Sequence, residues 1–559
     1  IGRQGEHEEH IHPGPHDYDG TYTRLHLEWR GIRITVETAR HANDDLVMLV
    51  RPDELGLMPP TLIVETGMLW NRPGMVRRDG ERIVAELPDR SVEVHVSADP
   101  IEETHIAAQS PYLAVALGEP IAISTGQPRT VDAVEAIVAQ RRADHRNQLT
   151  HYGEVAEVYE AVQSCMAWDT IYDPGGDRVL SPVSRIWNVN TGGYIIFCWD
   201  TYFGAYLASI DNRDLAYANA IEITREKTAA GFVPNFAAAT GMKSHDRSQP
   251  PVGSMVVREL YRRYREDWLL EELFDDLLAW NRWWANARQT CGLLCWGSDP
   301  FPPTMGNIWE THGVNARFGA ALESGLDNSP MYDDAAFDEQ THLMQLHDVG
   351  LNGLYIMDCD ALAEIADALG RDGEAKEIRD RADAFRRHLP RLWDDGIGIY
   401  CNREPEYGEF SHRLSPTNFY ALLARNVGED QKRRMIDEHF YNDREFWGEW
   451  VLPSIARNDP AYPDNTYWRG RIWAPMNFLV YLALRYAELA EPAKDLADKS
   501  AALLLTEWRE EGHVHENYNA KTGEGDDVHN SDAFYHWGGL LGLIALIEAG
   551  YLPPPESPL

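Results

Sequence analysis

The feature that most constrains this chain is a change of hydrophobic period near Pro128. Upstream, from about Thr21 to Ser124, apolar residues recur at every second position. Arg33-Ile34-Thr35-Val36-Glu37, Arg82-Ile83-Val84-Ala85-Glu86 and Ser91-Val92-Glu93-Val94-His95-Val96 alternate. Tyr112-Leu113-Ala114-Val115-Ala116-Leu117 is a more continuous apolar run, as in a strand covered on both faces. Gly, Pro and Asp punctuate these runs at short intervals. The pattern predicts an antiparallel, β-sandwich-like accessory domain over residues 21–125. Downstream the period is near 3.6. Thr130, followed by Asp132 and Glu135, reads as a capping residue with acids in the first turn, and Val131–Arg146 as a charged helix. We read 126–150 as a linker helix lying on the next domain.

Over residues 151–559 helical stretches begin near Val155, Thr201, Asp214, Ser254, Leu269, Leu351, Glu374, Pro416, Glu429, Ile472, Pro492 and Ala533. Several come in pairs joined by short loops, such as Cys359–Leu369 with Glu374–His388. Twelve paired helices are what an (α/α)6 barrel requires. A solenoid would pair its helices too, but a self-similar repeat of roughly 30–45 residues should then be visible, and none is. The expected fold is mainly α: an (α/α)6-barrel catalytic domain preceded by a smaller antiparallel β-rich domain.

Composition narrows the function. Fifty-one basic against 89 acidic side chains leave a net charge of −38 over 559 residues. That argues against an extended nucleic-acid contact and against docking on anionic lipid. No apolar run approaches the roughly 18–20 residues needed to span a bilayer, and Gly538–Ile547 reads as a buried C-terminal helix. Six cysteines (Cys165, Cys198, Cys291, Cys295, Cys359, Cys401) are no disulfide framework in so long a chain; Cys291 and Cys295 lack a second pair at zinc spacing and read as core residues. Residues 1–20 carry His7, His10, His12 and His16 among acids, Gly and Pro; a flexible solvated tail is the expectation over a metal site. The expected compartment is the cytoplasm, with an exported form left open by the start at Ile1 rather than Met.

Five long loops separate the helices: Gly175–Gly193, Pro234–Gly253, Pro300–Asp338, Asn442–Arg471 and His513–Asp532. In a barrel such loops gather at one rim, where binding and catalysis reside. They carry aromatic–polar clusters: Trp199-Asp200-Thr201-Tyr202-Phe203, preceded by Arg185 and Trp187; Arg247-Ser248-Gln249-Pro250-Pro251; Glu323-Ser324-Gly325-Leu326-Asp327-Asn328-Ser329-Pro330; Tyr467-Trp468-Arg469-Gly470-Arg471-Ile472-Trp473 with Asn477; and His515-Glu516-Asn517-Tyr518-Asn519. Singly, each has a structural explanation: Trp199 and Trp473 as core aromatics, Asp200 and Asp327 as helix caps, Arg247 and Arg469 as ion-pair partners. Together they suit a sugar. Indole and phenol faces match the C–H faces of a pyranose, and Asp, Asn, Gln and Arg match its hydroxyls. No glycine-rich phosphate loop, His-Glu-x-x-His or Gly-x-Ser-x-Gly is present.

Hydrolysis of a sugar acetal needs one protonated carboxyl to serve the leaving oxygen and one ionised carboxylate to activate water or attack the ring. Asp327 and Glu516, on different loops among polar and aromatic residues, are the best-placed candidates. An apolar surround would raise the pKa of the acid. Asp200, Glu323, Glu339 and Glu524 compete.

At these clusters the chain resembles glycoside hydrolase family 63 and, more distantly, the inverting trehalases of family 37. The resemblance runs from about Tyr152 to Leu552. It is carried by Trp199-Asp200 with Phe203, Gly231-Phe232-Val233-Pro234, Arg247 to Pro251, Glu323 to Pro330, Trp468-Arg469-Gly470 with Trp473 and Asn477, and His515 to Tyr518. It implies an (α/α)6 barrel and inverting exo-hydrolysis of α-glycosides, with Asp327 as general acid and Glu516 as general base. Trp199, Asp200, Gln249, Gly325, Tyr467 and Trp468 would border the terminal-sugar subsite, with Arg247 and Arg469 supporting sugar hydroxyls or the base. Arg185, Phe203, Trp473 and Tyr518 complete the expected substrate-binding set. Inversion implies a water between Glu516 and the anomeric carbon, with the carboxyls roughly 6.5–9.5 Å apart. No cofactor is required; some relatives carry a structural Ca2+, for which this chain has acids enough but no EF-hand-like loop.

The expected substrate is an α-linked disaccharide, a short oligosaccharide or a small glucoside, with glucose as the leading terminal sugar. α-Mannosides and glucosyl- or mannosylglycerate are the alternatives within the family. The β-domain has no parentage by resemblance, although its presence favours the oligosaccharide or disaccharide hydrolases over the glycerate-specific ones. Two rivals come from other classes. A sugar epimerase on the same barrel would use histidines, for which His245, His515 and His536 are available. A non-catalytic sugar-binding protein would have lost one carboxylate, and here both are present.

Overall fold

The computed structural model describes residues 9–56, 59–69, 72–103, 106, 110–184, 193–302 and 313–559. The chain divides into two compact units, one running to Ala167 and including Glu511–His513, the other comprising Trp168–Glu510 and Val514–Leu559.

The first unit is β-rich, as the period-two pattern predicts. Its strands are β1 (Glu9–His16), β2 (Tyr22–Trp29), β3 (Ile32–Arg40), β4 (Leu46–Glu54), β5 (Thr61–Glu65), β6 (Met75–Asp79), β7 (Arg82–Glu86), β8 (Ser91–Val96), β9 (Tyr112–Ala116) and β10 (Ile121–Thr125). Eight of them form an antiparallel sheet in the order β1-β2-β3-β4-β10-β8-β7-β6, while β5 and β9 pair with each other. Val115 and Leu117 pack with Ile34, Val50 and Ile121, so the two sheets share a core. Residues 9–16 are no flexible tail: they pair with β2 through Glu9↔Trp29 to His16↔Thr23. Their histidines alternate along a polar edge strand, which the composition disguised. The helix α1 (Val131–Leu149) begins as expected, with Thr130 accepting from the Ala133 amide. Where a linker was expected, it belongs to the first unit. Val134 and Val138 pack against Tyr22, Ala39, Val47, Leu49 and Ala122, covering one face of the sheet. The boundary between the two units accordingly falls after Ala167, within α2 (Ala156–Asp169), rather than near 150.

In the second unit six helical segments close into a ring: α3 (Cys198–Ala208), α5 (Gly253–Tyr264), and the segments Val349–Ala368, Pro416–Ala424, Ala474–Tyr486 and Leu540–Glu548. Each contacts the next, and the last contacts α3. These inner segments are buried around nearly their whole circumference; all eleven residues of α3 are buried, as are all nine of Pro416–Ala424. A helix that is apolar on every side belongs in an interior. The outer helices, such as α4 (Arg213–Arg225), α6 (Asp267–Ala287) and Asp372–His388, bury one face only. This is the (α/α)6 barrel. Two segments depart from the expected α-helix: Pro416–Ala424 is wound as 3-10, and the Glu429–Arg434 helix continues as a π-helix through Phe440. The short helix Arg317–Glu323 has no counterpart among the helices expected from the pattern.

The connections decide where the site lies. Inner-to-outer links are short, such as Ser209–Asn212 and Leu369–Arg371, whereas outer-to-inner links are the long loops. Inner segments run in one sense, so every long loop, and the start of every inner segment, lies at the same end of the ring. No disulfide joins any of the six cysteines, and Cys291, expected in the core, is exposed at the turn of a hairpin. No helix among the described residues is long and apolar enough to cross a membrane.

Candidate active site

Four of the long loops, each running into the start of an inner segment, deliver the site. Asp200 lies in the first turn of α3. Gln249 precedes α5. Asp327 follows the Arg317–Glu323 helix, and Glu516 lies between the outer helix Ala490–Glu511 and the inner helix Leu540–Glu548. Tyr467 and Trp468 precede the inner helix Ala474–Tyr486. Asp200 therefore sits among the unpaired amides at the positive end of the α3 dipole.

The two carboxyls proposed from sequence converge. The Tyr467 hydroxyl donates to Glu516 Oε1 at 3.1 Å, and it also senses the charges of Asp327 and Asp200. Asp200 in turn interacts electrostatically with Asp327 and with Glu516. Tyr467 takes a left-handed backbone, φ 53°, uncommon for a bulky residue and characteristic of functional turns. Tyr535 donates to Asp200 Oδ1 at 2.8 Å. Glu516 accepts a long bond from the Asp532 amide at 3.4 Å, while the Glu516 amide donates to the Asp532 carbonyl.

Tryptophans wall this cluster. Trp468 stacks on Trp473 with ring centres 3.6 Å apart. Trp199 lies 6.4 Å from Trp468 and meets Trp537 edge-on at 5.7 Å. The Trp537 indole N–H donates to the Glu516 carbonyl at 3.1 Å, fixing the backbone of that residue. Gly325 is required where it stands: its φ is +70°, and a Cβ there would lie 2.7 Å from the Trp199 ring. Trp199 donates its amide to Gln249 Oε1 at 3.4 Å. The Trp468 amide donates to Asn328 Oδ1 at 2.9 Å, tying the Asp327 loop to the aromatic wall.

Burial sets the electrostatics. Asp327 is pushed up to about 7 by desolvation, opposed by the Arg247 charge. Asp200 is pushed up to about 7 by desolvation, opposed by the Tyr535 bond and reinforced by Asp327. Glu516 is pushed well above the ordinary range by desolvation and by the Asp532 charge, with the Asp532 amide and Tyr467 hydroxyl opposing. Asp327 and Tyr467 keep accessible surface, whereas Asp200 and Glu516 are buried.

Not every expected residue borders the site. Arg469 faces outward, bonded to Asp464 and Asp333 and to the Asn328 carbonyl; it braces the Asp327 loop rather than the base. Tyr518 is fully buried and bridges its backbone to Ile472, its hydroxyl accepting from the His515 amide. Phe203 lies one turn deeper on α3, packed between Trp199 and Phe478. Trp473 backs Trp468 and donates its indole N–H to the Tyr467 carbonyl. Arg247 is buried, paired with Asp246 and bonded to Asn235. Arg185 and Trp187 lie outside the described residues. Of the competing carboxyls, Glu323 is locked to Arg288, and Glu339 and Glu524 are exposed. His515 and His536 are buried and pushed down, to about 4 and about 3, by desolvation; His245 stacks on Phe301. Tyr535, Trp537 and Asp532 join the site without being among the residues expected from sequence. Their signal was the aromatic run Phe534-Tyr535-His536-Trp537 at the start of the last inner segment. Among the described residues, no group of three or more His, Cys, Asp or Glu is arranged to hold a metal ion.

The chain is similar to proteins already known. Residues 193–537 match the family described as the mannosylglycerate hydrolase MGH1-like glycoside hydrolase domain. A mannosylglycerate hydrolase of Thermus thermophilus is 26% identical over 333 residues, covering 50% of this chain and 72% of that protein. A probable mannosyl-oligosaccharide glucosidase of Schizosaccharomyces pombe is 25% identical over 272 residues, covering 46% of this chain but only 32% of its relative. Among solved structures, a family 63 mannosylglycerate hydrolase of Thermus thermophilus in complex with Tris and D-glycerate superposes with a TM-score of 0.53 at 20% identity, covering 69% of this chain and 98% of its own. The neutral trehalase of Saccharomyces cerevisiae superposes with a TM-score of 0.51 at 16% identity, covering 69% and 79%.

Proposed function

The chain belongs to the MGH1-like glycoside hydrolases, within glycoside hydrolase family 63, and from that premise we propose that it is an inverting, exo-acting enzyme that releases a terminal sugar, glucose first among the candidates, from an α-glycoside. The observation that carries this reading is the Tyr467 hydroxyl, bonded to Glu516 and within electrostatic reach of Asp327 and Asp200 inside one tryptophan-walled cluster. In this reading the proton on Asp327 passes to the glycosidic oxygen as the bond to the anomeric carbon breaks. Glu516 takes a proton from a water that attacks that carbon from the opposite face. Trp199 and Trp468 stack on the sugar ring. Asp200 and Gln249 accept from its hydroxyls, and the start of α3 favours the ionised form of Asp200.

α-Mannosides and glycosylglycerates remain the alternatives, since relatives are named as mannosylglycerate and glucosylglycerate hydrolases. Incubation with a panel of α-linked disaccharides and glycosylglycerates, followed by proton NMR within the first minutes, tests the reading. Release of a β-configured free sugar is expected. A first-formed α-anomer would remove Glu516 from the role of base, and interconversion of a free sugar without cleavage would point to epimerisation.

A further inference from the structure

A cavity of about 660 Å3 opens beside the Asp327 loop and has no part in the chemistry above. One wall is the segment Met331–Ala336, which begins four residues after Asp327; the opposite wall is the 404–413 loop, with Thr290 and Gln345 between. The 404–413 loop lies between the outer helix Asp372–His388 and the inner segment Pro416–Ala424, so it belongs to the same rim as the carboxyls. A chain of contacts joins the two places. Arg413 on the cavity wall pairs with Asp333 at 3.1 Å, Asp333 with Arg469 at 2.9 Å, and Arg469 reaches the Asn328 carbonyl at 3.3 Å.

The loop is pre-built. Arg403 donates to the carbonyls of Gly408 and Tyr407, the Glu404 amide donates to the Glu409 carbonyl, and the Gly408 amide donates back to the Pro405 carbonyl. Glu406 and Tyr407 both take left-handed backbones, φ 58° and 63°, a conformation that bulky residues hold only when their surroundings enforce it. The Arg403 guanidinium lies 4.3 Å over the Phe410 ring and fixes that planar surface at the cavity wall. The volume falls in the range of sites for small ligands.

The lining selects the ligand. Asp334, Glu404, Glu406 and Glu409 contribute carboxylates. Of the two basic residues, Arg413 is paired with Asp459 and Asp333, and His412 with Asp394. A carboxylate or phosphate entering this space meets like charge. Sugar hydroxyls meet strong acceptors beside an aromatic face, together with the neutral groups of Thr290, Gln345 and Ser411.

We infer that this cavity binds the distal, uncharged sugars of an extended α-glycoside whose terminal residue is held at Asp327 and Glu516, and that an anionic aglycone is disfavoured there. The inference rests on the hydrolase reading for its catalytic consequence, but the binding site stands on its own geometry. The test uses Phe410→Ala and Ala336→Trp, the first removing the aromatic wall and the second filling the space. Wild-type kcat/KM should rise at least 10-fold from a neutral α-linked disaccharide to the corresponding trisaccharide. Both variants should lose that gain while keeping wild-type rates on a small aryl α-glucoside. A length-independent kcat/KM, a length gain unchanged in both variants, or a glycosylglycerate preferred over the neutral trisaccharide would overturn it. If the wild type cleaves no glycoside at all, the hydrolase reading fails instead. Calorimetric titration of the neutral trisaccharide into the wild type and Ala336→Trp then decides the cavity: binding lost on filling supports it, and absence of binding to the wild type overturns it.

Discussion

Substituting Asp200 by Asn should make the protein more stable and less active, with a gain in stability that grows with pH. Asp200 is 1% exposed and accepts from the Tyr535 hydroxyl, a bond that an Asn carbonyl can also accept. Burial holds its pKa up at about 7 against an ordinary 3.8. The unfolded chain releases this proton from about pH 4 upward, while the folded chain keeps it until about pH 7. Between those values each pH unit costs the folded state about 1.4 kcal/mol, so the penalty is absent below about pH 4 and complete above about pH 7, at about 4 kcal/mol. Asn carries no such penalty. A unit of nearly 390 residues gains about 1.2 °C of Tm per kcal/mol. The variant should therefore melt about 5 °C above the wild type at pH 8 and about 2 °C above it at pH 5. Circular dichroism melts at the two pH values measure both differences, and turnover of an α-glucoside should fall at least 100-fold in the same samples. An equal shift at both pH values, or a destabilised variant at pH 8, would refute the view that a buried, proton-holding carboxyl stands at the start of α3.

Three further outcomes are expected. kcat/KM should decline as pH rises through about 7, where Asp327 loses the proton it donates; Asp327→Asn should abolish that limb, reduce turnover by about 1,000-fold and leave sugar binding by calorimetry intact. Asp532→Asn removes a charge that raises Glu516, so the acidic limb of the pH profile should move to lower pH, a shift that a merely structural role would not produce. Gly325→Ala drives a methyl group into the Trp199 ring from a backbone position that disfavours it, and should raise KM for the terminal sugar by about 10-fold with little change in Tm.

Much of this architecture was legible because two physical signals are written locally. The period change marks where strands give way to helices, and the all-round apolar character of Cys198–Ala208, Ala474–Tyr486 and Leu540–Glu548 marks inner helices. The two carboxyls stood out as acids set among aromatics on long loops. Other features were hidden because they depend on partners distant in the chain. β1 reads as a polar tail since an edge strand paired with β2 needs few apolar residues. The face of α1 that packs on the sheet comes down to Val134 and Val138, too little pattern to tell a covering helix from a linker. Arg469 and Asp333 are 136 positions apart, and only their pairing shows that this arginine braces the Asp327 loop. Tyr535 and Trp537 lie in an aromatic run whose residue types do not tell core from site, and Trp537 is both buried and a clamp on Glu516.

The topology also explains why three carboxyls can coexist in one desolvated cluster. Asp200 lies in the first turn of α3, where unpaired amides and the dipole favour negative charge, and Asp327 and Glu516 are held on long loops at the same rim. Against this, desolvation raises all three, reinforced at Asp200 by the Asp327 charge and at Glu516 by the Asp532 and Asp200 charges. Burial keeps Asp327 protonated up to about pH 7, so in the proposed reaction it would have a proton to give to the leaving oxygen. An isolated carboxyl pair in open solvent would ionise near pH 4 and have no proton to give at pH 7. In the proposed reaction the tryptophan wall would therefore do more than stack on a sugar: by excluding water it would keep Asp327 protonated.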